Sequence, residues 1–109
     1  PERIEAPVKH LDLVAVSRLD FFAPDEVRFP ALTLAREALT AGAAAQIILN
    51  AANEVAVERF LQKNIGFLDI VRLIESMLAA VTQPDVSSIE QITALDSETR
   101  RYAKEWKLP

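Results

Sequence analysis

The sequence predicts an all-α fold, an antiparallel four-helix bundle preceded by an extended N-terminal arm, and three observations carry that expectation. Ala43 to Asn64 reads as one helix of about 22 residues, roughly 33 Å long, and it is apolar nearly all the way round as far as Val57. A helix apolar on every side belongs in the middle of a bundle. Three other segments repeat apolar residues at helical spacing and are separated by short turn signals. Pro1, Pro7, Pro24 and Pro30 crowd the start of the chain, each biasing its predecessor away from helix. Two units follow: a linker arm over residues 1–28 and a helical bundle domain over residues 29–109.

Within the arm, Leu11 to Val16 reads as one short turn or strand, and Leu19 to Phe22 has the aromatic and leucine content of a short strand. Leu11, Leu13, Val14, Val16, Leu19, Phe21 and Phe22 need a surface to lie on, either the bundle or a neighbouring domain. The first bundle helix is expected over Pro30 to Ala41, with Pro30 at the first helical position, where its missing N–H costs nothing. Leu32, Ala35, Ala38 and Leu39 form its inward stripe, and Gly42 stops it.

The central helix is expected to end near Asn64 and Gly66, both tolerant of left-handed backbone. The third runs from about Leu68 to Val81, with Ile70, Val71, Leu73, Ile74, Met77, Leu78 and Val81 facing inward and Asp69 in the first turn, where negative charge suits the helix dipole. Pro84 breaks the chain. Ser87 with Glu90 three residues on forms a capping box that opens a fourth helix reaching about Lys107, its stripe made by Ile89, Ile92, Leu95, Thr99, Tyr102, Ala103 and Trp106.

Composition narrows the function classes. With 109 residues and 50% hydrophobic content the chain fits one core-bearing domain. Its net charge of -4, with Lys and Arg scattered singly, lacks the basic footprint of a nucleic-acid partner or an anionic membrane surface. The absence of cysteine excludes disulfides, thiolate metal sites and a cysteine nucleophile. No apolar run approaches the roughly 18 residues of a membrane span, so a soluble, cytoplasmic protein is the expectation. The chain opens at Pro1 rather than Met, which reads as a piece of something longer.

Candidate chemistry is sparse. The lone His10 lies in the arm with no second histidine or cysteine to build a metal site, and the two glycines, Gly42 and Gly66, sit at helix ends rather than in a phosphate-cradling loop. Asp25 and Glu26 read as turn residues that Arg28 pairs with, and Glu98, Arg100, Arg101, Lys104 and Glu105 as the solvated face of the last helix. No catalytic, cofactor-binding or metal-binding residue emerges. What remains is Gln46, Asn50, Asn53 and Glu54, spaced i, i+4, i+7 and i+8 and therefore on one face of the central helix. Buried amides and a carboxylate are costly without partners, so this polar stripe is expected either to be a satisfied structural network or to touch something beyond the bundle, a ligand or another domain.

The run LNAANEVAV from Leu49 to Val57, followed by Phe60 and Leu61, resembles the C-terminal domain of the 1-deoxy-D-xylulose 5-phosphate reductoisomerase family. Pro1, Arg3, Val8, Lys9, Leu11 and Asp12 resemble the family's linker entry, Phe22 to Asp25 with Arg28, Phe29, Pro30 and Leu32 its next block, and Phe67, Asp69 and Ile70 the start of its third bundle helix. His10 departs from the pattern, standing where proline is expected. The resemblance implies an enzyme of isoprenoid-precursor synthesis that rearranges and reduces its sugar phosphate to 2-C-methyl-D-erythritol 4-phosphate with NADPH and a divalent metal, Mg or Mn. It also implies that upstream NADPH-binding and catalytic domains of the same chain are the partners, in a homodimer, and that this chain, alone, binds neither cofactor and is inactive. The competing reading is an independent, non-enzymatic helical module that binds other proteins through the arm and the stripe.

Overall fold

The computed structural model describes residues 7–107, so Pro1 and Arg3 lie outside the described residues. Five helices follow one another: α1 (Leu13–Val16), α2 (Ala31–Ala41), α3 (Ala43–Leu61), α4 (Phe67–Ala80) and α5 (Ile89–Glu105). The fold is all-α, with no strand among the described residues. α3 packs against α2, α4 and α5, whereas α4 and α5 touch each other only sparsely. The helix that is apolar on every side is therefore the one the others surround.

Alanine explains how. Ala44, Ala45, Ala51, Ala52 and Ala56 of α3 are all buried, and side chains that small let three neighbours approach one axis. The core adds Ile48 and Val55 from α3, Ile65, Leu73, Ile74, Met77 and Val81 from α4 and its flanks, and Leu95 and Ala103 from α5. Thr99 is fully buried as well, its hydroxyl donating to the Leu95 carbonyl at 2.8 Å, so the one polar group the α5 stripe buries is paired.

Several helix boundaries differ from those the sequence predicts, each for a local reason. Pro30 caps α2 from outside its first turn, and Gly42, at φ 112, serves as both the end of α2 and the start of α3, a backbone angle that strains any residue with a Cβ. α3 stops at Leu61, and the left-handed residue that turns the chain is Lys63, not Asn64 or Gly66. Gly66, at φ -81, donates its N–H to the Asp69 carboxylate at 2.9 Å, and an added Cβ there would meet that carboxylate at 3.1 Å. The capping box of α5 is Ser88 with Gln91 rather than Ser87 with Glu90. The Gln91 side-chain Oε1 accepts from both the Ser87 and Ser88 N–H groups, at 2.9 and 3.2 Å, while Ser88 Oγ accepts the Gln91 backbone N–H at 3.2 Å.

The inward stripe of α2 is also corrected. Only Ala38 is buried, Leu34 is half-buried, and Leu32, Ala35 and Leu39 face outward, because α2 has α3 as its one substantial helical neighbour. At the other end of the bundle Ile89 is 77% exposed and Ile92 is exposed too, so the first turn of α5 runs past the core.

Among the described residues the arm meets the bundle only at its C-terminal end, where Glu26 pairs with Arg36 and Val27 and Arg28 border α4. Asp12 accepts the N–H groups of Val14 and Ala15 at 3.0 and 3.1 Å and so caps α1, a single turn that resolves the turn-or-strand choice over Leu11 to Val16. Leu19 to Phe22 forms no strand among the described residues. Every residue from Pro7 to Phe29 is exposed. The radius of gyration of 18.3 Å, against about 13 Å for a compact chain of this length, records how far the arm projects.

Candidate functional site

α3 and α5 lie side by side, and the polar stripe of α3 meets α5 along their shared edge. Asn50 Nδ2 donates to Glu54 Oε1 at 3.1 Å, one helical turn on. The other carboxylate oxygen of Glu54 accepts from an Arg100 guanidinium nitrogen at 2.7 Å. Arg100 also donates twice to Asp96, from Nε at 2.7 Å and from NH2 at 3.1 Å, the two-pronged geometry that suits a planar guanidinium. Arg100 is thus a half-buried bridge between two helices, not part of a solvated face as its neighbours Arg101 and Lys104 are. Its hydrogen bonds to Asp96 and Glu54 hold the guanidinium firmly charged. The same bond from Arg100, then the one from Asn50, pulls the Glu54 carboxyl below the usual carboxylate range.

The stripe is not buried as expected. Gln46, Asn50 and Glu54 are exposed and only Asn53 is half-buried. The physical reason is that the stripe lies at the edge of the α3–α5 contact, where Gln46, Asn50 and Glu54 stay in water. Gln46 and Asn50 border an open groove of about 470 Å³ with Ile92, Thr93 and Asp96 across from them. Asn53 makes no side-chain hydrogen bond among the described residues.

A second polar bridge joins α3 to the end of α5. Arg59 donates from one guanidinium nitrogen to the carbonyls of Ala103 at 2.8 Å and Trp106 at 2.9 Å, and its guanidinium lies 5.8 Å from the centre of the Trp106 ring. These are carbonyls at the end of α5 that have no partner within the helix, so Arg59 does from α3 what a C-terminal cap would do locally. Nothing in the neighbourhood of Arg59 in sequence signals a partner 44 residues away. A third feature is an apolar groove of about 520 Å³ between the entry to α2 and the start of α4, with Val27, Phe29, Phe67 and Leu68 among its walls. The Asp25 carboxylate accepts the Val27 and Arg28 N–H groups in the turn that leads into it, and Glu26 pairs with Arg36 rather than Arg28.

Among the described residues no group of three or more His, Cys, Asp or Glu side chains is arranged to hold a metal ion. His10 stands alone and exposed in the arm. No helix among the described residues is long and apolar enough to cross a membrane. The geometry provides an inter-helix ion-pair network, a capping arginine that ties α3 to the end of α5, and two open grooves.

Comparison with known proteins fits that inventory. Residues 1–102 match the family model described as DXP reductoisomerase C-terminal domain. The chain is 55% identical over 107 residues to the 1-deoxy-D-xylulose 5-phosphate reductoisomerase of Methylobacillus flagellatus, covering 98% of this chain and 27% of that protein. It is 50% identical over 105 residues to the reductoisomerase of Rhodospirillum centenum, covering 96% of this chain and 26% of the relative. It superimposes on the Zymomonas mobilis enzyme solved in complex with NADPH at a TM-score of 0.88 and 47% identity, over 96% of this chain and 28% of that one. A reductoisomerase solved with NADPH, fosmidomycin and magnesium aligns at 0.84 and 38% identity. The chain therefore spans about a quarter of the length of the curated relatives it matches.

Proposed function

The chain belongs to the DXP reductoisomerase C-terminal domain family, and from that membership we propose that it is the helical C-terminal part of an enzyme converting 1-deoxy-D-xylulose 5-phosphate to 2-C-methyl-D-erythritol 4-phosphate. NADPH and a divalent metal are the cofactors of the whole enzyme, and the relatives solved with NADPH and magnesium support that assignment. The residues described here do not fit either group: there is no acidic or histidine cluster, and the only two glycines of the chain sit at helix ends. Both cofactors are assigned to the upstream NADPH-binding and catalytic domains, which are this chain's first partners. Homodimerisation and a cytoplasmic setting are part of the same proposal.

The single observation that carries the reading is the match of nearly the whole chain, in sequence and in fold, to one region of one enzyme. The bundle's role within it is mechanical. A rearrangement followed by hydride transfer needs its intermediates kept from water, and a rigid body beside the catalytic domain supplies one wall of that enclosure. The α3-centred core and the Arg100 and Arg59 ties give the rigidity, while residues 1–28, as the linker, and residues 29–109, as the body, divide the labour.

The test is turnover. The full-length protein containing this chain is expected to oxidise NADPH when given 1-deoxy-D-xylulose 5-phosphate and Mg²⁺, and the 109-residue chain alone to be silent. An inactive full-length protein, or turnover by the chain alone, overturns the proposal.

A further inference from the structure

The core of the bundle takes no buried residue from α2. Ala38 is buried but stands outside that core, and only Leu34, half-buried, borders it. The polar ties follow the same division. α5 is fastened to α3 by Arg100 on Glu54 and by Arg59 on the Ala103 and Trp106 carbonyls. Among the described residues no side chain of α2 hydrogen-bonds to α3, α4 or α5. Thr40 donates to the Arg36 carbonyl within its own helix, and Arg36 pairs with Glu26 in the turn that precedes α2.

What joins α2 covalently to the rest is Gly42. At φ 112 and ψ -170 it holds a backbone angle open to glycine and strained for residues with a Cβ, yet a Cβ added there meets nothing within 4 Å. An open space of about 250 Å³ lies beside it, bordered by residues 41–44 and 83–87. Hydrogen bonding across the joint consists of the Gly42 N–H on the Ala38 carbonyl and the Gln46 N–H on the Gly42 carbonyl, each at 3.2 Å.

At the opposite end of α2 the groove of about 520 Å³ lies between Phe29 and the start of α4, and Phe29, Phe67 and Leu68 are 56%, 67% and 67% exposed. Phe67 is held edge-on against Phe60, ring centres 5.9 Å apart, and so offers a fixed stop. Eleven helical residues make a lever of about 16 Å, so a turn of about 15° at Gly42 carries the far end about 4 Å, enough to bring one layer of side chains into contact.

We propose that α2 is a strap hinged at Gly42, carrying the turn before it and swinging over α3 between the open position described above and a closed one in which Phe29 packs on Phe67 and Leu68. The closed position covers apolar side chains that the open one leaves in water, and the small Ala38 contact lets α2 slide without unlocking a packed core. α3, α4 and α5 move as one body, because the core and both arginine ties lie within it. The joint lies inside the bundle, and the hinge concerns this chain's own residues whatever reaction the full-length protein performs.

Distances between spin labels in the full-length protein test this. Leu32 near the far end of α2, Ala79 on α4 and Glu98 on α5 are all exposed and carry the labels in pairs. The 79–98 pair, within the body, is expected to give one narrow distribution. At least one of the 32–79 and 32–98 pairs is expected to show a second population displaced by about 4 Å. Distributions for both α2 pairs as narrow as that of the 79–98 pair overturn the hinge.

Two substitutions locate the joint and the stop. Gly42→Ala acts on the backbone angle alone, since the added carbon meets no atom within 4 Å, and is expected to move the α2 distances while the 79–98 distance holds. Phe29→Ser removes the closing contact and is expected to abolish the second population. Unmoved α2 distances in Gly42→Ala, or a second population that survives Phe29→Ser, overturn the proposal, and so does a 79–98 distance that shifts with either.

Discussion

The arm and the bundle are built from similar proportions of apolar residues and treat them in opposite ways. Between Ala31 and Glu105 the large side chains Ile48, Leu73, Ile74 and Met77 are buried, while between Val8 and Phe29 not one is. Ordering a residue costs about 1 to 2 kcal/mol of backbone entropy, a cost offset in the bundle by apolar burial and left uncompensated in the arm of the chain by itself. The difference teaches where this protein is self-sufficient. The bundle is a body held by its own core, whereas the arm leaves its large apolar side chains exposed.

The strongest test of that contrast removes one side chain from each region. Leu73 is fully buried, and Leu73→Ala is expected to cost about 2 to 5 kcal/mol, lowering the melting temperature by more than about 8 °C or abolishing the cooperative transition. Phe21→Ala in the same chain is expected to stay within about 0.5 kcal/mol, because the ring already faces water. Thermal unfolding followed by circular dichroism checks both, and a large loss from Phe21→Ala would mean that the arm docks on its own bundle.

A smaller effect sharpens the picture of the bundle. Arg59→Met keeps most of the stem and removes the donors that hold the Ala103 and Trp106 carbonyls. Two hydrogen bonds from a charged group to otherwise orphaned acceptors predict a loss of about 1.5 to 3 kcal/mol, with faster amide exchange over the last turn of α5 and little change in α4. Uniform loosening of the whole bundle would show that Arg59 acts through packing rather than as a cap.

Arg100→Met is expected to do less, because the ion pairs it breaks are partly in water. Its signature is pH. The carboxyl of Glu54 is held below its ordinary value of 4.5, chiefly by the bond from Arg100, so the native state binds a proton there less readily than the unfolded chain does. A depressed carboxyl stabilises the fold above the unfolded value, and that contribution disappears as the pH falls through the lower folded value. The gap in melting temperature between the parent chain and Arg100→Met should therefore be widest near pH 7 and close progressively below about pH 4.5. A gap independent of pH would assign the effect to packing of the arginine stem.

Which of these features was legible in the sequence follows their range along the chain. The inward face of α4 is legible in its own spacing, because Leu73, Ile74 and Met77 repeat at the period of the helix they build. The α5 cap is ambiguous in sequence by one residue, because Ser87-x-x-Glu90 and Ser88-x-x-Gln91 satisfy the same rule and only the double acceptance by Gln91 Oε1 decides between them. Spacing puts Leu32 and Leu39 on the inward face and the structure leaves both exposed, because periodicity names a face without saying whether a neighbour covers it. The bridges made by Arg59 and Arg100 join residues 44 to 47 positions apart, and local pattern holds no record of such pairs.

The polar stripe is where those two kinds of information meet, and Asn53 is the residue that separates them. Spacing alone treats it as buried and bonded, in which case Asn53→Leu should cost about 1 to 3 kcal/mol by leaving its partners unsatisfied. In the structure it is half-buried with no side-chain hydrogen bond among the described residues, while Asn50 and Glu54 on either side of it are bonded to each other. An amide that leaves nothing unsatisfied when removed predicts a change within about 0.5 kcal/mol in the 109-residue chain, indistinguishable from Glu58→Gln on the solvent side of the same helix. If the stripe instead faces the catalytic body, the same substitution should lower turnover in the full-length enzyme, since a leucine there withholds both the donor and the acceptor that the opposing surface is shaped to meet. A loss of stability in the chain alone would restore the internal network. Neutrality in both would make Asn53 a bystander and shift the interdomain contact to the arm.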